Sequence, residues 1–522
     1  MPAAVRNADL ARMGGSGAAP APAIYGRASL ALAQVRASMS GTVYHSAGGG
    51  RRAKGWAAPT VSPNDVLGSL PVIRDRSRAA NRNDPFAKSG IGKLVSNIIG
   101  TGISPRCQVA DETFRRQVHT LWDAWCNEAD ANGRLDFYGL QAQAVRTWLE
   151  SGEAFVRLRP RRASDGLTVP MQLQILEPEF CPATWTAGTY DSPGPVVRAG
   201  IEFDAIGRRQ AYLFYPQRPG DPKDMLLLPS RVDAATVVHL YDPTRAGLLR
   251  GIPHAAAVLL RLNGLDQFDD ATLTRQHIQN LYTGYVTHPQ TGAVDAGVDP
   301  LTGAPIVRDA NDNAMVGLEP GIMQELLPGE DITFSDPPAP AQTYPDFMRQ
   351  QLLAIANGLE EPYEVLTGDL TKVNDRTVRV ILNDFRRRVQ QWQRFIVIFQ
   401  LCQPVWRAFI DRAILAGILT PKVGFALYDV KWVPQGWAYI QPVQDIQAAT
   451  LRMRSAITSL DQEITETGQD PDDVLAQIAA DNRKFDVLGL IVDSDPRRVD
   501  QRGRVAGEPV IPPEDREDAP TR

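Results

Sequence analysis

The longest regular alternation of apolar and polar positions runs from Val378 to Phe399. Val378, Ile381, Leu382, Phe385, Val389, Trp392, Ile396 and Phe399 recur three or four residues apart, which predicts one amphipathic helix with a single apolar stripe. Arg379, Arg386, Arg387, Arg388 and Arg394 make its opposite face basic. A shorter helix is predicted over 344–357, with Gly358 as its stop. Between the two lies a polar link, 362–376, that carries charges of both signs and no catalytic signature.

The same periodicity organises the rest of the chain. With Asn64 as cap, Leu67, Leu70 and Ile73 open a helical pattern that continues through Ile91, Leu94, Val95, Ile98 and Ile99 and stops at the Gly100-Thr-Gly turn. A helix over 112–127 places Phe114, Val118, Leu121, Trp122 and Trp125 on one side, as core. Residues 150–245 alternate in short runs separated by turn residues such as Gly166, Gly188, Gly207 and Gly220, a β-rich pattern. Pro253 suits the first position of a long helix reaching about Leu281, roughly 45 Å at 1.5 Å per residue. Residues 283–341 interrupt the helices, with strands expected over 318–327 and 332–334. After Pro421, 423–427 and 430–433 read as short strands. A helix over 442–460 follows, then another from the acidic start Asp470-Pro471-Asp472-Asp473. The pattern is α+β, with a flexible basic arm over 1–60 and a charged, Pro-rich, disordered tail over 496–522.

Composition narrows the class. At 522 residues, 43% hydrophobic and 22% charged, the chain is that of a soluble protein of two to four domains. The net charge of −5 hides an asymmetry. The first 106 residues hold 14 Lys+Arg against 4 Asp+Glu, whereas residues 461–522 hold 8 against 16. A basic N-terminal third suits nucleic acid, an acidic partner or a solvated surface alike. Cys107, Cys126, Cys181 and Cys402 lack metal-ligand spacing, so neither zinc nor a disulfide framework is predicted, and a reducing compartment is. No signal peptide and no apolar run long enough for a membrane span is seen, which predicts a chain assembled in a cytosol without membrane contact.

Motifs for chemistry fail one by one. Ser89-Gly90-Ile91-Gly92-Lys93 resembles a phosphate loop, but Ala87 stands where the first glycine belongs and Leu94 follows the lysine. Asp130-Ala131-Asn132-Gly133 resembles the start of a calcium loop, but Gly139 occupies the position of the closing glutamate, so an Asx-type turn is expected. The six histidines lack HExxH spacing, and no GxSxG elbow occurs. Glu153 is a lone carboxylate after a helix, a structural contact. No catalytic residue, cofactor or metal site is predicted.

Several blocks, in order, carry a resemblance. RSRAANRNDPFAKSGIGKLVSNIIGTGISP from Arg76, WDAWCNEADANGRLDFYGLQ from Trp122, SGEAF from Ser151, AGIEFDAIGR from Ala199, Val238-His239-Leu240, Arg250-Gly251-Ile252-Pro253 and Leu327-Pro328-Gly329-Glu330 together resemble the lambda-type family of phage portal proteins. The resemblance runs from about Arg76 to Leu419. It implies a ring subunit: a wing over 61–250, stem helices over 251–282 and 342–360, and a β-containing clip over 283–341. A tunnel loop would span 361–377, a long wing helix and its return 378–428, and an α-helical crown 429–495. It implies a homo-oligomeric ring, a dodecamer, at the unique vertex of a capsid, assembled in the host cytoplasm. Double-stranded DNA would be packaged and ejected through this ring. Terminase large subunit, major capsid or scaffolding protein and head-tail connector proteins would be its partners. Asp369, Lys372, Asn374, Asp375, Arg376 and Arg379 would then be the DNA-channel candidates. Repeated around a ring, such weak contacts of mixed sign position a duplex by its backbone charge without stalling it. Asn374-Asp375-Arg376-Thr377 departs from the serine-rich stretch usual in the family at this place. From the residues alone, a nucleic-acid-processing enzyme and a non-channel structural protein of the particle stay open.

Overall fold

Asp84 and Pro85 divide the first helical run in two. The structure, a computed structural model, describes residues 62–188, 195–220, 228–280, 284–287, 305, 307–308, 314–315, 331–334, 344–371, 373–421, 424, 426–437, 441–490 and 492. All but Ser62 belong to one unit, Pro63–Arg522. Helix α1 (Leu70–Asn83) ends where the Asp84 side chain accepts from the Ala87 amide and caps α2 (Pro85–Ile99), with Pro85 at its first position. Asn64, expected as a cap, instead binds across the chain: its side chain donates to the Gly247 carbonyl and accepts from the Leu249 amide.

Strand β1 (Ser104–Cys107), read from sequence only as the end of a helix, precedes α3 (Glu112–Cys126) and α4 (Phe137–Ser151). Strands β2 (Glu153–Pro160), β3 (Met171–Leu176), β4 (Val196–Arg198), β5 (Ile201–Phe203), β6 (Arg209–Phe214), β7 (Ser230–Asp233) and β8 (Val237–Tyr241) bear out the β-rich segment. They form a sheet of order β3-β2-β8 and a β4-β5-β6-β7 meander, both antiparallel.

Pro253 does not start the long helix. It caps a 3-10 turn, His254–Ala257, and α5 (Leu259–Asn280) begins after it, about 33 Å long at 1.5 Å per residue. Of the interruption that follows, β9 (Gly284–Thr287) pairs with β12 (Asp331–Phe334) and β10 (Val307–Arg308) with β11 (Ala314–Met315). The strand expected at 332–334 is therefore present, and the one at 318–327 lies outside the described residues. Next come α6 (Tyr344–Gly358), α7 (Tyr363–Thr367) and α8 (Asp375–Trp392). Helix α8 continues through a π-helical stretch, Gln393–Cys402, into α9 (Gln403–Leu415).

That π stretch corrects the predicted stripe. Phe385, Val389, Trp392 and Ile396 are buried, but Phe399 is 68% exposed, and Val397, Ile398 and Leu401 turn inward instead. Hydrogen bonds to i−5 widen the turn and rotate the following side chains off a 3.6-residue stripe. The Gln400 side chain marks the same rotation: it accepts from the Tyr241 amide at 3.0 Å and donates to the Tyr241 carbonyl at 3.1 Å, fastening the helix to strand β8.

The largest core gathers α2, α3, α4, α8, the π stretch and α9 against β2, β3 and β8. Trp122 is its centre, 5.0 Å from both Trp125 and Phe137 and 5.1 Å from Trp406, so the aromatic cluster is core as expected. A smaller core joins the start of α5 to α6 and α7 through Val258, Leu262, Leu265, Ile355, Leu359 and Leu366. Beyond Leu265, none of the α5 residues through His277 is buried, and Leu273 is exposed. Phe268 and Asp269 still meet Tyr344 and Phe347 of α6, and most of the described α5 residues from Asp270 to His277 are exposed.

β13 (Val430–Val433) pairs with β1, and no strand forms among the described residues of 423–427. The helix expected over 442–460 divides into α10 (Pro442–Arg454) and α11 (Leu460–Glu466), because Ala456 turns left-handed and Ser459 caps the next helix. α12 (Pro471–Leu488) starts at the acidic cap, where the Asp470 side chain accepts from the Asp472 amide. Arg106 reaches Asp470 at 3.4 Å and Asp472 at 3.1 Å, and Arg115 reaches Asp472 at 3.6 Å. Part of the opposed charge at the two ends of the sequence is thus used internally.

Candidate nucleic-acid interface

Helix α6 leads into the polar link through a sharp joint. Gly358 lies inside the helix and is needed for space, not as a stop: a Cβ there would come within 2.2 Å of Val258 Cγ1. The reversal falls at Glu360, whose φ of 55° is left-handed. Arg388 of α8 pairs with the Glu360 carboxylate, and His254 Nε2 donates to the Leu359 carbonyl at 2.7 Å. Short α7 follows and ends at Gly368, φ 77°. Lys93 of α2 donates to the Val365 and Leu366 carbonyls at the end of α7, so the lysine of the phosphate-loop-like string is a helix clamp.

The predicted link is therefore shorter than 362–376. It holds a helix, and its described residues outside helices are 368–371, 373 and 374. Asp369 is anchored: it accepts from the Thr371 amide at 3.0 Å, the Thr371 hydroxyl at 2.6 Å, the Tyr363 hydroxyl at 3.2 Å and Arg349 Nη1 at 3.4 Å. The Thr371 bonds, with Tyr363 and Arg349, hold its carboxyl below the usual range. Asn374 is the cap of α8, accepting from the Thr377 amide at 3.0 Å and the Thr377 hydroxyl at 2.9 Å. Asp375 and Arg376 open that helix, and Arg376 is exposed. Lys372 lies outside the described residues. Arg379 is separated from the loop: it lines a cavity of about 950 Å³ with Asn383, Gln393, Lys431, Trp437 and Glu463. The basic face of α8 is also partly spent on packing, Arg386 over the Trp437 ring and Arg388 over Trp392.

A second polar constellation lies in the wall that supports this joint. Glu153, fully buried, accepts from Arg74 Nη2 at 2.5 Å, Arg250 Nε at 2.7 Å, His239 Nε2 at 2.8 Å and the Gly251 amide at 2.9 Å. Arg250, equally buried, also donates to the carbonyls of Cys181, Ala199 and Pro178. Burial pushes the Glu153 carboxyl up, but Arg250, Arg74 and His239 together hold it well below its usual range. Burial pulls His239 down to about 4, against Glu153, so its ring is neutral at pH 7. Gly152, φ 90°, and Gly251 meet closely: a Cβ on Gly251 would come within 2.0 Å of the Gly152 carbonyl oxygen. The SGEAF and Arg-Gly-Ile-Pro strings are thus two sides of one contact. Glu153 is the structural contact expected; Arg74 gave no signal, and His239 and Arg250 stood out only within family-like blocks, because the link of each to Glu153 exists only once the chain folds.

Other expectations can be placed as well. The Asp130 carboxylate accepts from the Asn132, Arg134 and Leu135 amides, an Asx-type turn. The four cysteines are free and buried. Among the described residues no helix is long and apolar enough to cross a membrane, and no three His, Cys, Asp or Glu side chains are grouped to hold a metal ion.

Fold and loop together define a mixed helix-and-sheet chain with small antiparallel sheets, a long, largely exposed helix and a short polar loop anchored to α6. The profile described as phage portal protein, lambda family, matches residues 49–393, about two thirds of the sequence. The chain belongs to the lambda family of phage portal proteins. It is 26% identical over 441 residues to the probable portal protein of Halomonas phage phiHAP-1, covering 80% of this chain and 81% of that one. It is 21% identical over 500 residues to portal protein B of Escherichia phage lambda, covering 86% and 90%. A chain in the neck of an empty GTA particle aligns at TM-score 0.43 and 16% identity, over 80% of this chain and 98% of that one.

Proposed function

We propose that this chain forms the ring-shaped portal of a tailed-phage-type particle, the channel through which double-stranded DNA enters and leaves at one capsid vertex. The observation that carries this reading is membership of the lambda portal family over residues 49–393. The architecture supports it. The described residues of helix α5 beyond Leu265 are left unburied through His277, and a closed ring supplies each such helix with a neighbour on either side. Its exposed residues, Arg261, Asp266, Asp270 and Arg275, mix signs, as a passage for duplex DNA requires if it is not to hold its cargo.

In this reading α1–α4 and β2–β8 form the wing, α5 and α6 the stem, the insertion between them the clip, and α10–α12 the crown. The tunnel loop is 368–374. Its described exposed charge comes from Arg376 at the start of α8, Lys372 is its further candidate from the sequence, Asp369 and Asn374 shape it, and Arg379 lines a separate cavity. The ring is a dodecamer in the virion, assembled in the host cytoplasm. Its clip docks the terminase large subunit, which supplies ATP hydrolysis, and later the head-tail connector proteins; its outer surface meets the major capsid or scaffolding protein. The chain itself catalyses no reaction.

Purified protein is expected to give rings with an axial hole by electron microscopy and one ring mass by light scattering. Monomers alone across salt and concentration, including under capsid-assembly conditions, would remove the ring. Lys372→Ala with Arg376→Ala should leave rings intact and lower packaged DNA yield; unchanged DNA length and yield would take the loop out of the mechanism.

A further inference from the structure

Glu361 sits in the joint between α6 and α7, its amide bonded to the Ala356 carbonyl and its carboxylate unpartnered among the described residues. Its side chain is 3% exposed, and neither carboxylate oxygen has a hydrogen-bond partner among the described residues. It fills a pocket made by Leu359, Leu366 and the missing side chain of Gly90: a Cβ on Gly90 would lie 3.0 Å from Leu366 Cδ1, 3.1 Å from Leu359 Cδ1 and 3.2 Å from Glu361 Oε2. The surrounding charges are engaged elsewhere. Lys93 of α2, the charged group acting on Glu361, gives its protons to the Val365 and Leu366 carbonyls. Glu360 points to Arg388 of α8, and the neutral-leaning His254 ring, its pKa lowered by burial, donates to the Leu359 carbonyl.

An ionised carboxylate without donors is expensive to bury; a protonated one costs far less. We propose that Glu361 is a proton-operated latch, seated as the neutral acid between α2 and the α6–α7 joint, and that loss of its proton to solvent releases residues 359–371 from α2. Burial pushes the carboxyl up to about 8, with Lys93 pulling the other way, which puts the release just above neutral pH. Once ionised, the carboxylate gains by leaving the apolar pocket or by taking Lys93, and Lys93 is the group that holds the α7 carbonyls. Either movement undoes the same clamp. That the freed segment leads to a DNA-facing loop rests on the portal reading; the latch does not.

The test is hydrogen–deuterium exchange on the full-length protein between pH 6.5 and 9, corrected for the intrinsic pH dependence of exchange. For a group titrating near pH 8, protection of amides in 359–371 should fall about tenfold from pH 7 to 9, while peptides of α3 and α4 keep theirs. Glu361→Gln should remove that pH dependence, and Glu361→Met serves the same purpose if the glutamine variant fails to fold. Wild-type protection that is flat across the range overturns the latch. So does a fall shared by every peptide, or a profile unchanged in the folded variant. These outcomes are independent of whether rings form, so failure of the latch and failure of the portal reading are distinguishable.

Discussion

Replacing Glu153 by Gln should be among the most damaging single changes in this protein. The carboxylate is the shared anion of Arg74 and Arg250, and both guanidiniums are buried, Arg250 completely. Glutamine keeps the shape and one acceptor oxygen, so the packing around Phe155 and the close Gly152–Gly251 contact stay possible. What it removes is the charge, leaving two buried cations without the carboxylate they share, and Arg250 completely out of water. Breaking a buried pair in this way costs about 3–5 kcal/mol. The Arg250 carbonyl contacts survive, which favours the lower end. The measurement is urea unfolding at pH 7.5 on the full-length chain, held at one protein concentration because assembly would couple to stability. Adding Arg74→Met removes one orphaned cation, so the double variant should lose less than the sum of its two single changes. A Glu153→Gln protein within about 0.5 kcal/mol of wild type, the range of ordinary surface changes, would refute the reasoning.

Other outcomes follow from the same structure. His239 refuses a proton until about pH 4, whereas an unfolded histidine takes one near 6.5, so the fold loses its contribution as pH drops through that window. The loss is about 3 kcal/mol, read as the difference between wild type and His239→Gln, because Glu361 slopes the opposite way above pH 4.5. Glu361 keeps its proton in the fold up to about 8, so wild type should lose roughly 1.4 kcal/mol per pH unit between 6.5 and 8, and Glu361→Gln should not. Gly358→Ala pushes a methyl against Val258 and should cost about 1–3 kcal/mol, less up to 1 from better helix propensity. Val258→Ala in the same chain should recover part of it; no recovery would mean that the Val258 contact is not the cause.

Much of this protein is written in local pattern. Helices α1–α3, α6 and α8, the β-rich segment and the aromatic core around Trp122 follow from spacing, because each needs only the side of an element that its own residues define, whereas α4 and α7 were not read from it. The acidic start of α12 and the Asp130 turn are equally local, as a short side chain binding its own next amides needs no tertiary partner. The family resemblance was also legible, carried by ordered blocks such as SGEAF and Arg-Gly-Ile-Pro. Distance in sequence hid the rest. Glu153 and Arg250 are 97 residues apart and Gly358 and Val258 are 100, so neither contact leaves a periodic trace. The π stretch replaces Phe399 with Val397 and Ile398 in the core, because packing chose a turn that no 3.6-residue stripe contains. The polar link shows both sides of this division. Its composition announced a charged loop; folding made Asn374 a cap, Asp369 an anchor and Arg379 a cavity wall, and left Arg376 facing solvent, because hydrogen-bond partners across the joint decide which charges are free.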